Sequence, residues 1–416
     1  MKERVCVLLL IAILVMGVLT GCERRAETDG QPVEITMWVY SDWATGIGGD
    51  LFRKWADEFV AANSDVSEIN LVGRNDADLM TGLMAGVGLP DCFSASFREG
   101  KNIIEVVPYL NLKPFFDRQD ADYRNAFDQK ALAAAIEGNQ MYAFPFVGYV
   151  QLIFRNLTVL EQAGINPADG IPTWDAFIDQ LARINAAGID PTHSWAGHWF
   201  STGTILGSEE SLTIGERNGR TTVQAEQLIP TLEMMLRINQ HANNMSAFDA
   251  AATQAFQSNR LGFIVAGPWT SEGHDASGVR YDVVPPPAFR PGGRTGGLRG
   301  LDALYAVDTP RNEQVLRWLK YLTDYDRLYE FVTTIGRPVL NERVMNNASI
   351  QQNMIARVSA TALLGAVDQT DFFRTRVFWV SPITDISVQV DTGRITPRQG
   401  AEEMINMINA LLAEAQ

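Results

Sequence analysis

The sequence is poor in cysteine, in histidine and in basic charge, and each shortage excludes something. Only Cys6, Cys22 and Cys92 occur among 416 residues, with no C-x-x-C pair. They cannot build a disulfide framework or a thiolate zinc site. The four histidines are His193, His198, His241 and His274. None sits in an H-E-x-x-H, and the step from His193 to His198 is a poor helical metal pair. No G-x-S-x-G, Walker A or G-x-G-x-x-G stretch is present, which lowers the expectation of an enzyme. Two carboxylates can always be picked from 49 acidic residues, so glycosidase chemistry gains nothing from composition alone. Acids outnumber bases and the formal charge is −15, which makes nucleic acid a poor partner.

Long apolar runs are scarce too, and the one that exists lies at the start. Lys2 and Arg4 precede Val5–Leu19, all apolar or glycine. As a helix this run spans roughly 22 Å, short of a bilayer core, so it predicts a signal-peptide core and not a transmembrane anchor. It closes in Leu19-Thr20-Gly21-Cys22, which resembles the lipobox of bacterial lipoproteins. That resemblance implies removal of residues 1–21 and acylation of Cys22, followed by a flexible tether over 22–32; the alternative is an ordinary secretory signal with a chance cysteine. Stable anchoring needs more than one acyl chain. Cys92 would then be the one thiol left in the body. It stands in the apolar stretch DCFSAS with no histidine nearby in sequence, and reads as a buried thiol and not a nucleophile.

What remains is too long for one core, because cores stop growing at about 250–300 residues; two lobes are expected. Val33–Val39 alternates as a strand, Asp50–Ala62 carries apolar residues at helical spacing, Ile69–Val72 and Pro90–Ala95 read as strands, and Asp76–Val87 as a helix. This β-α-β-α-β opening predicts an α/β fold with a parallel sheet. Further helices are predicted over Tyr123–Glu137, from Thr173 as N-cap, and over Ala225–Gln240, Asn312–Thr323, Asp326–Thr334 and Pro397–Glu414; Gln151–Phe154 reads as a strand. The prolines of PPPAFRPGGRTGG, Pro285–Gly297, mark a loop or a crossing between lobes. Trp38, Trp55, Trp174 and Trp318 fall on apolar faces of these elements and are expected to be structural.

Several stretches in order resemble one family. ITMWVY, FRKWADEFVAAN, LMAGVGLPDCFSAS, GNQMYAFPFVGYVQLIFRN, AGINPADGIPTWDAF, FIVAGPW, RWLKYLTD and GRPVL are similar to successive segments of the extracellular solute-binding lipoproteins of bacterial ABC importers, in the carbohydrate (maltose-binding-protein-like, family 1) branch. Phe154-Arg155-Asn156 departs from the usual Tyr-Asn there. The resemblance implies a two-lobe periplasmic-binding-protein fold, each lobe a central β-sheet flanked by helices, with hinge crossovers near Tyr109–Tyr149, Gly297–Leu301 and Leu340–Met345. The N-terminal lobe would hold 33–147 plus about 300–340, and the C-terminal lobe about 148–299 plus about 341–416.

Ligands of α/β folds sit at the carboxyl ends of strands, and the resemblance points to the same places. Trp269, after the Gly267-Pro268 turn, is either a platform for a sugar ring or a cap on the core. Tyr40, Asp42 and Trp43 follow the first strand, as a ligand loop or a solvated one. Ser96 and Arg98 follow the third; Arg98 is a multi-donor or a plain surface arginine. Tyr149 falls where the type member of the branch has an acid, so its position carries over and its chemistry does not. Trp195, His198 and Trp199 form an aromatic cluster at helical spacing, for a ligand or for the core. Trp379, Arg299 and Asp302 complete the candidates.

The resemblance implies capture of a sugar or oligosaccharide and delivery to ABC permease subunits, by a monomer tethered through Cys22 on the outer face of a membrane. No cofactor, metal or nucleic acid is expected. The alternatives are a binding protein for another solute (a polyol phosphate, a polyamine or ferric ion) and a surface-anchored glycosidase.

Overall fold

The computed structural model describes residues 31–97, 100–212, 214–247, 249–368 and 380–414. The expected signal peptide, Cys22 and most of the tether lie outside the described residues, as do Arg98 and Trp379.

The elements that position the site are, in chain order, β1 (Val33–Tyr40), α1 (Gly46–Ala62), β2 (Val66–Arg74), α2 (Asp76–Ala85), β3 (Cys92–Ser96), β4 (Ala143–Tyr149), β5 (Leu152–Asn156), α3 (Trp174–Ala186), β6 (Asp190–Thr192), α4 (Trp199–Leu206), β7 (Leu261–Ala266), β8 (Tyr281–Val284), β9 (Leu298–Ala306), α5 (Asn312–Thr323), α6 (Tyr325–Ile335), α7 (Met354–Gly365) and β10 (Val367–Asp368). The opening β-α-β-α-β forms as the periodicity predicts. β1 pairs in parallel with β2 and with β3. On one face it buries Ile35, Met37 and Val39, and on the other Trp38; a sheet covered on both faces is what a parallel arrangement requires.

Two sheets result. The first runs β10-β9-β3-β1-β2, with β4 added to β9; the second runs β8-β5-β7-β6. Each has its own apolar core. Phe52, Trp55, Phe146 and Trp318 pack under the first sheet, and Trp174, Phe177, Trp195 and Phe263 under the second. The architecture is α/β in two lobes, with mixed sheets flanked by helices. Trp55, Trp174 and Trp318 are fully buried, and Trp38 nearly so.

The chain passes between the sheets at Val150–Gln151, again ahead of β9, and again along α7. Ala356 of α7 packs in the first core, while Ile355 and Ala362 pack with Leu152, Phe154, Leu261 and Ile264 on the other face of the second sheet. Val344, Met345 and Ile350, just before it, remain in the first. At the first two passages Gln151 Oε1 accepts the Leu298 N–H at 2.7 Å. Gly297 gives that amide room, since a Cβ there would stand 2.1 Å from the same oxygen and displace it.

One predicted helix does not form. Tyr123–Glu137 breaks into Ala121–Asn125 and Gln129–Ala134. Asp128 interrupts it: its side chain accepts the Ala131 N–H and starts a new helix, while its backbone N–H donates to Leu340 O. A cap in mid-pattern overrides the apolar spacing. Thr173 caps α3 as predicted, through the Ala176 N–H. Cys92 is buried, and burial, with Asp91 beside it, raises its thiol well above the ordinary value.

Candidate functional site

A cavity of about 560 Å³ opens where the first sheet faces the second lobe, within the range of about 300–1,000 Å³ typical of small-molecule sites. The first sheet brings the carboxyl ends of its parallel strands to it: Tyr40 ends β1 with Ser41 and Asp42 after it, Arg74 ends β2 with Asn75 after it, and Ser96 ends β3. Asp302 of β9, Tyr149 at the end of β4 and Arg337 beyond α6 join them. The opposite wall is His198, Trp199, Phe200 and Trp269.

Polar groups on the first wall are held by one another. The Tyr40 hydroxyl donates to Asp302 Oδ1 at 3.3 Å, and the hydroxyls of Ser96 and Tyr149 lie 3.4 Å apart. Asp42 and Arg337 form an ion pair. Gly300 lets β9 run directly beneath Tyr149, since a Cβ there would come within 1.9 Å of the phenol ring.

The aromatic wall is set by local geometry. β7 is buried along its whole length and ends at Ala266. Gly267 and Pro268 then turn the chain into a short 3-10 segment that carries Trp269. The indole folds back across Gly267 so closely that a Cβ would stand 2.0 Å from it. Phe200 meets Trp269 edge-on at 5.7 Å. His198 caps α4: its Nδ1 accepts the Phe200 N–H at 3.2 Å, which leaves the ring proton on Nε2 when the imidazole is neutral. Burial lowers the His198 pKa, against a smaller opposing pull from Asp249.

Of the candidates read from the sequence, Tyr40, Asp42, Ser96, Tyr149, His198, Trp199, Trp269 and Asp302 come together here. Three stand elsewhere. Trp43 is fully buried in the first core, stacked on Phe52 at 5.6 Å and edge-on to Phe146 and Phe331. Trp195 lies in the second core, stacked on His193 at 5.7 Å, with its Nε1–H donated to Thr192 Oγ1 at 3.1 Å. It precedes the helix that begins at Trp199, so the two tryptophans do not share a helical face. Arg299 is buried and paired with Asp128 at 2.8 Å. Arg98 and Trp379 lie outside the described residues.

Sequence reasoning missed Ser41, Arg74, Asn75, Phe200 and Arg337. Ending β2 at Val72 hid Arg74, two residues further along the same strand. Among the described residues no three His, Cys, Asp or Glu side chains converge as a metal set. Flat apolar rings opposite carboxylates, hydroxyls and guanidinia suit a ligand with hydrocarbon faces and a polar rim.

Residues 94–326 match the family model described as bacterial extracellular solute-binding protein. An arabinooligosaccharide-binding protein of Bacillus subtilis (strain 168) is 21% identical over 239 residues, which cover 56% of this chain and 54% of that one. The match thus spans about half the length of that relative. A melibiose/raffinose/stachyose-binding protein of the same organism is 23% identical over 303 residues, 67% of each chain. Among solved structures, the GacH receptor of Streptomyces glaucescens, whose structures include a complex with acarbose, superposes with a TM-score of 0.79 at 18% identity, over 92% of this chain and 98% of that one. The cyclic alpha-maltosyl-1,6-maltose binding protein of Arthrobacter globiformis gives 0.78 at 15% identity, over 92% and 100%. These two structural likenesses show the shared fold.

Proposed function

Because the chain belongs to the bacterial extracellular solute-binding protein family, we propose that it captures a sugar or oligosaccharide in the cavity between its lobes and delivers it to the permease of an ABC importer. The observation that carries this reading is the aromatic wall of Trp269, Phe200 and Trp199 facing the polar strand ends of the first sheet. Indole and phenyl faces take the C–H side of a pyranose, and carboxylate, hydroxyl and guanidinium groups take its hydroxyls. The names of the relatives, for arabinooligosaccharide and for melibiose, raffinose and stachyose, agree with that chemistry.

The protein works as a binding module without turnover, as a monomer, on the outer face of the membrane. Cys22 is the anchor: its thioether carries the lipid, and residues 22–32 are the tether. The reading is tested by heating the purified protein with a panel of oligosaccharides, polyamines and phosphorylated polyols. A ligand at about 100 times its Kd adds about 2.7 kcal/mol, so the melting temperature rises with an oligosaccharide and not with the other classes. Stabilisation by a polyamine or a polyol phosphate alone would overturn the sugar assignment. Release of shorter sugars on prolonged incubation would replace binding by hydrolysis.

A further inference from the structure

Arg74 stands out among the charged groups of the cavity because no ion pair to it forms among the described residues. It is the last residue of β2, in register with Tyr40, and it lines the cavity. Its guanidinium lies over the Trp38 ring, 4.6 Å from the centroid. Its Nε is buried without a hydrogen-bond partner, and it forms no ion pair with any described residue. The other cationic side chain lining the cavity is already matched by an anion. Arg337 is paired with Asp42, while Asp302 accepts the Tyr40 hydroxyl. One face of the Arg74 guanidinium is covered by the indole, so its in-plane N–H groups are what it offers to a ligand.

We propose that the ligand of this cavity carries a carboxylate, as a uronic acid residue in an oligosaccharide, and that Arg74 receives it. The proposal rests on the sugar-binding reading above and narrows it to acidic sugars. A guanidinium fork matches a carboxylate in two parallel, charge-assisted hydrogen bonds. A partly buried guanidinium with only neutral hydroxyls as partners would stay uncompensated. Among the described residues of the cavity, one cation without an ion pair fits one negative charge. A phosphate ester is close to a dianion at neutral pH, and its second charge would find no second unpaired cation among the described lining residues.

The test is titration calorimetry with digalacturonate and glucuronosyl-xylose, each beside its carboxyl-reduced form, and with maltotriose and arabinotriose as neutral sugars. The acid is expected to bind at least about tenfold more tightly than its reduced form. That advantage should shrink when salt is raised from roughly 50 mM to roughly 500 mM, because part of the attraction is screened. Arg74→Met keeps apolar cover on Trp38 and should reduce the acid-to-neutral affinity ratio about tenfold; Arg74→Lys should retain part of it. Equal or tighter binding of the reduced forms overturns the proposal, as does a ratio untouched by Arg74→Met in a variant of unchanged melting temperature. A sulfated disaccharide that binds through Arg74 where no uronide does also overturns it, in favour of a sulfate ester. If neither series binds, the sugar-binding reading falls, and this inference with it.

Discussion

Tyr149 and Trp269 meet edge to face, their ring centroids 5.9 Å apart and their planes at 83°. One ends a strand of the first sheet and the other follows a strand of the second. The contact ties the two walls of the cavity at one point. Stacking and burial by one such ring contribute about 1–3 kcal/mol. Trp269→Ala is therefore expected to weaken oligosaccharide binding ten- to a hundredfold, by roughly 1.4 kcal/mol for each factor of ten. Trp43→Ala, in the core, is expected to cost about 3–5 kcal/mol of stability instead. Calorimetric affinity and denaturant midpoint, measured on both variants, separate the two roles. Intact affinity with a collapsed midpoint in Trp269→Ala would make that tryptophan a core cap.

Stability should depend on two buried histidines. His193 Nδ1–H donates to Ser194 O at 2.7 Å, and its Nε2 accepts the Val265 N–H at 3.1 Å, so a second ring proton would face a backbone donor. His274 is enclosed by Phe154, Phe256 and Tyr281. Burial pulls each pKa from the ordinary 6.5 down to about 4. Between those values the unfolded chain binds protons that the folded chain refuses, so stability present at neutral pH is lost as pH falls through the window. The loss is of order 3 kcal/mol per histidine when complete. Urea midpoints at pH 7 and pH 4.5 measure it, and His274→Phe should remove roughly half of the difference. An unchanged slope in that variant would show that His274 does not titrate this way.

Arg299 and Asp128 give a third test. The arginine is buried and Asp128 lies 2.8 Å from it. Removing one partner of such a pair leaves a buried charge and costs about 3–5 kcal/mol. Asp128→Asn keeps an oxygen to cap Ala131 and removes the charge, so its loss reports the pair alone. Adding Arg299→Met should recover most of it. A double variant no more stable than the single one would show that the pair is not what holds β9 to the capped helix.

Anchoring is checked at Cys22. Cys22→Ser is expected to move the protein from the detergent phase to the aqueous phase in a partition experiment, since acylation needs the sulfur. Identical partition of wild type and variant would leave the lipid anchor without support.

Much of this was legible in the sequence where periodicity speaks. β1, β3 and the helices after Asn312 and Tyr325 were visible as alternation or as helical spacing, and the family resemblance, with the expectation that ligands gather at strand ends, pointed to Tyr40, Ser96, Tyr149 and Trp269, which line the cavity. Turns were the difficulty. Asp42 and Trp43 are neighbours, yet one reaches the cavity while the other enters the core, because a single helical turn rotates adjacent side chains apart. Arg299 was open to a better reading: period two puts it on the β9 face of Leu301, Ala303 and Tyr305, which is buried, while Asp302 points the other way. Arg74 escaped because β2 runs two residues past its last apolar position, and a strand's polar tip carries no periodic signal.

The place of β9 has a consequence for the birth of the molecule. It sits inside the first sheet, pairing with β3 on one side and β4 on the other, yet it is made only at residues 298–306. Until the ribosome has passed that point, β3 and β4 have no strand between them, and α5 and α6 are not there to cover the sheet. The lobe that is synthesised first is thus completed late, after most of the other lobe has been translated. Closing such distant pairings is intrinsically slow. This order of assembly keeps the leading lobe from locking shut until β9 has been made.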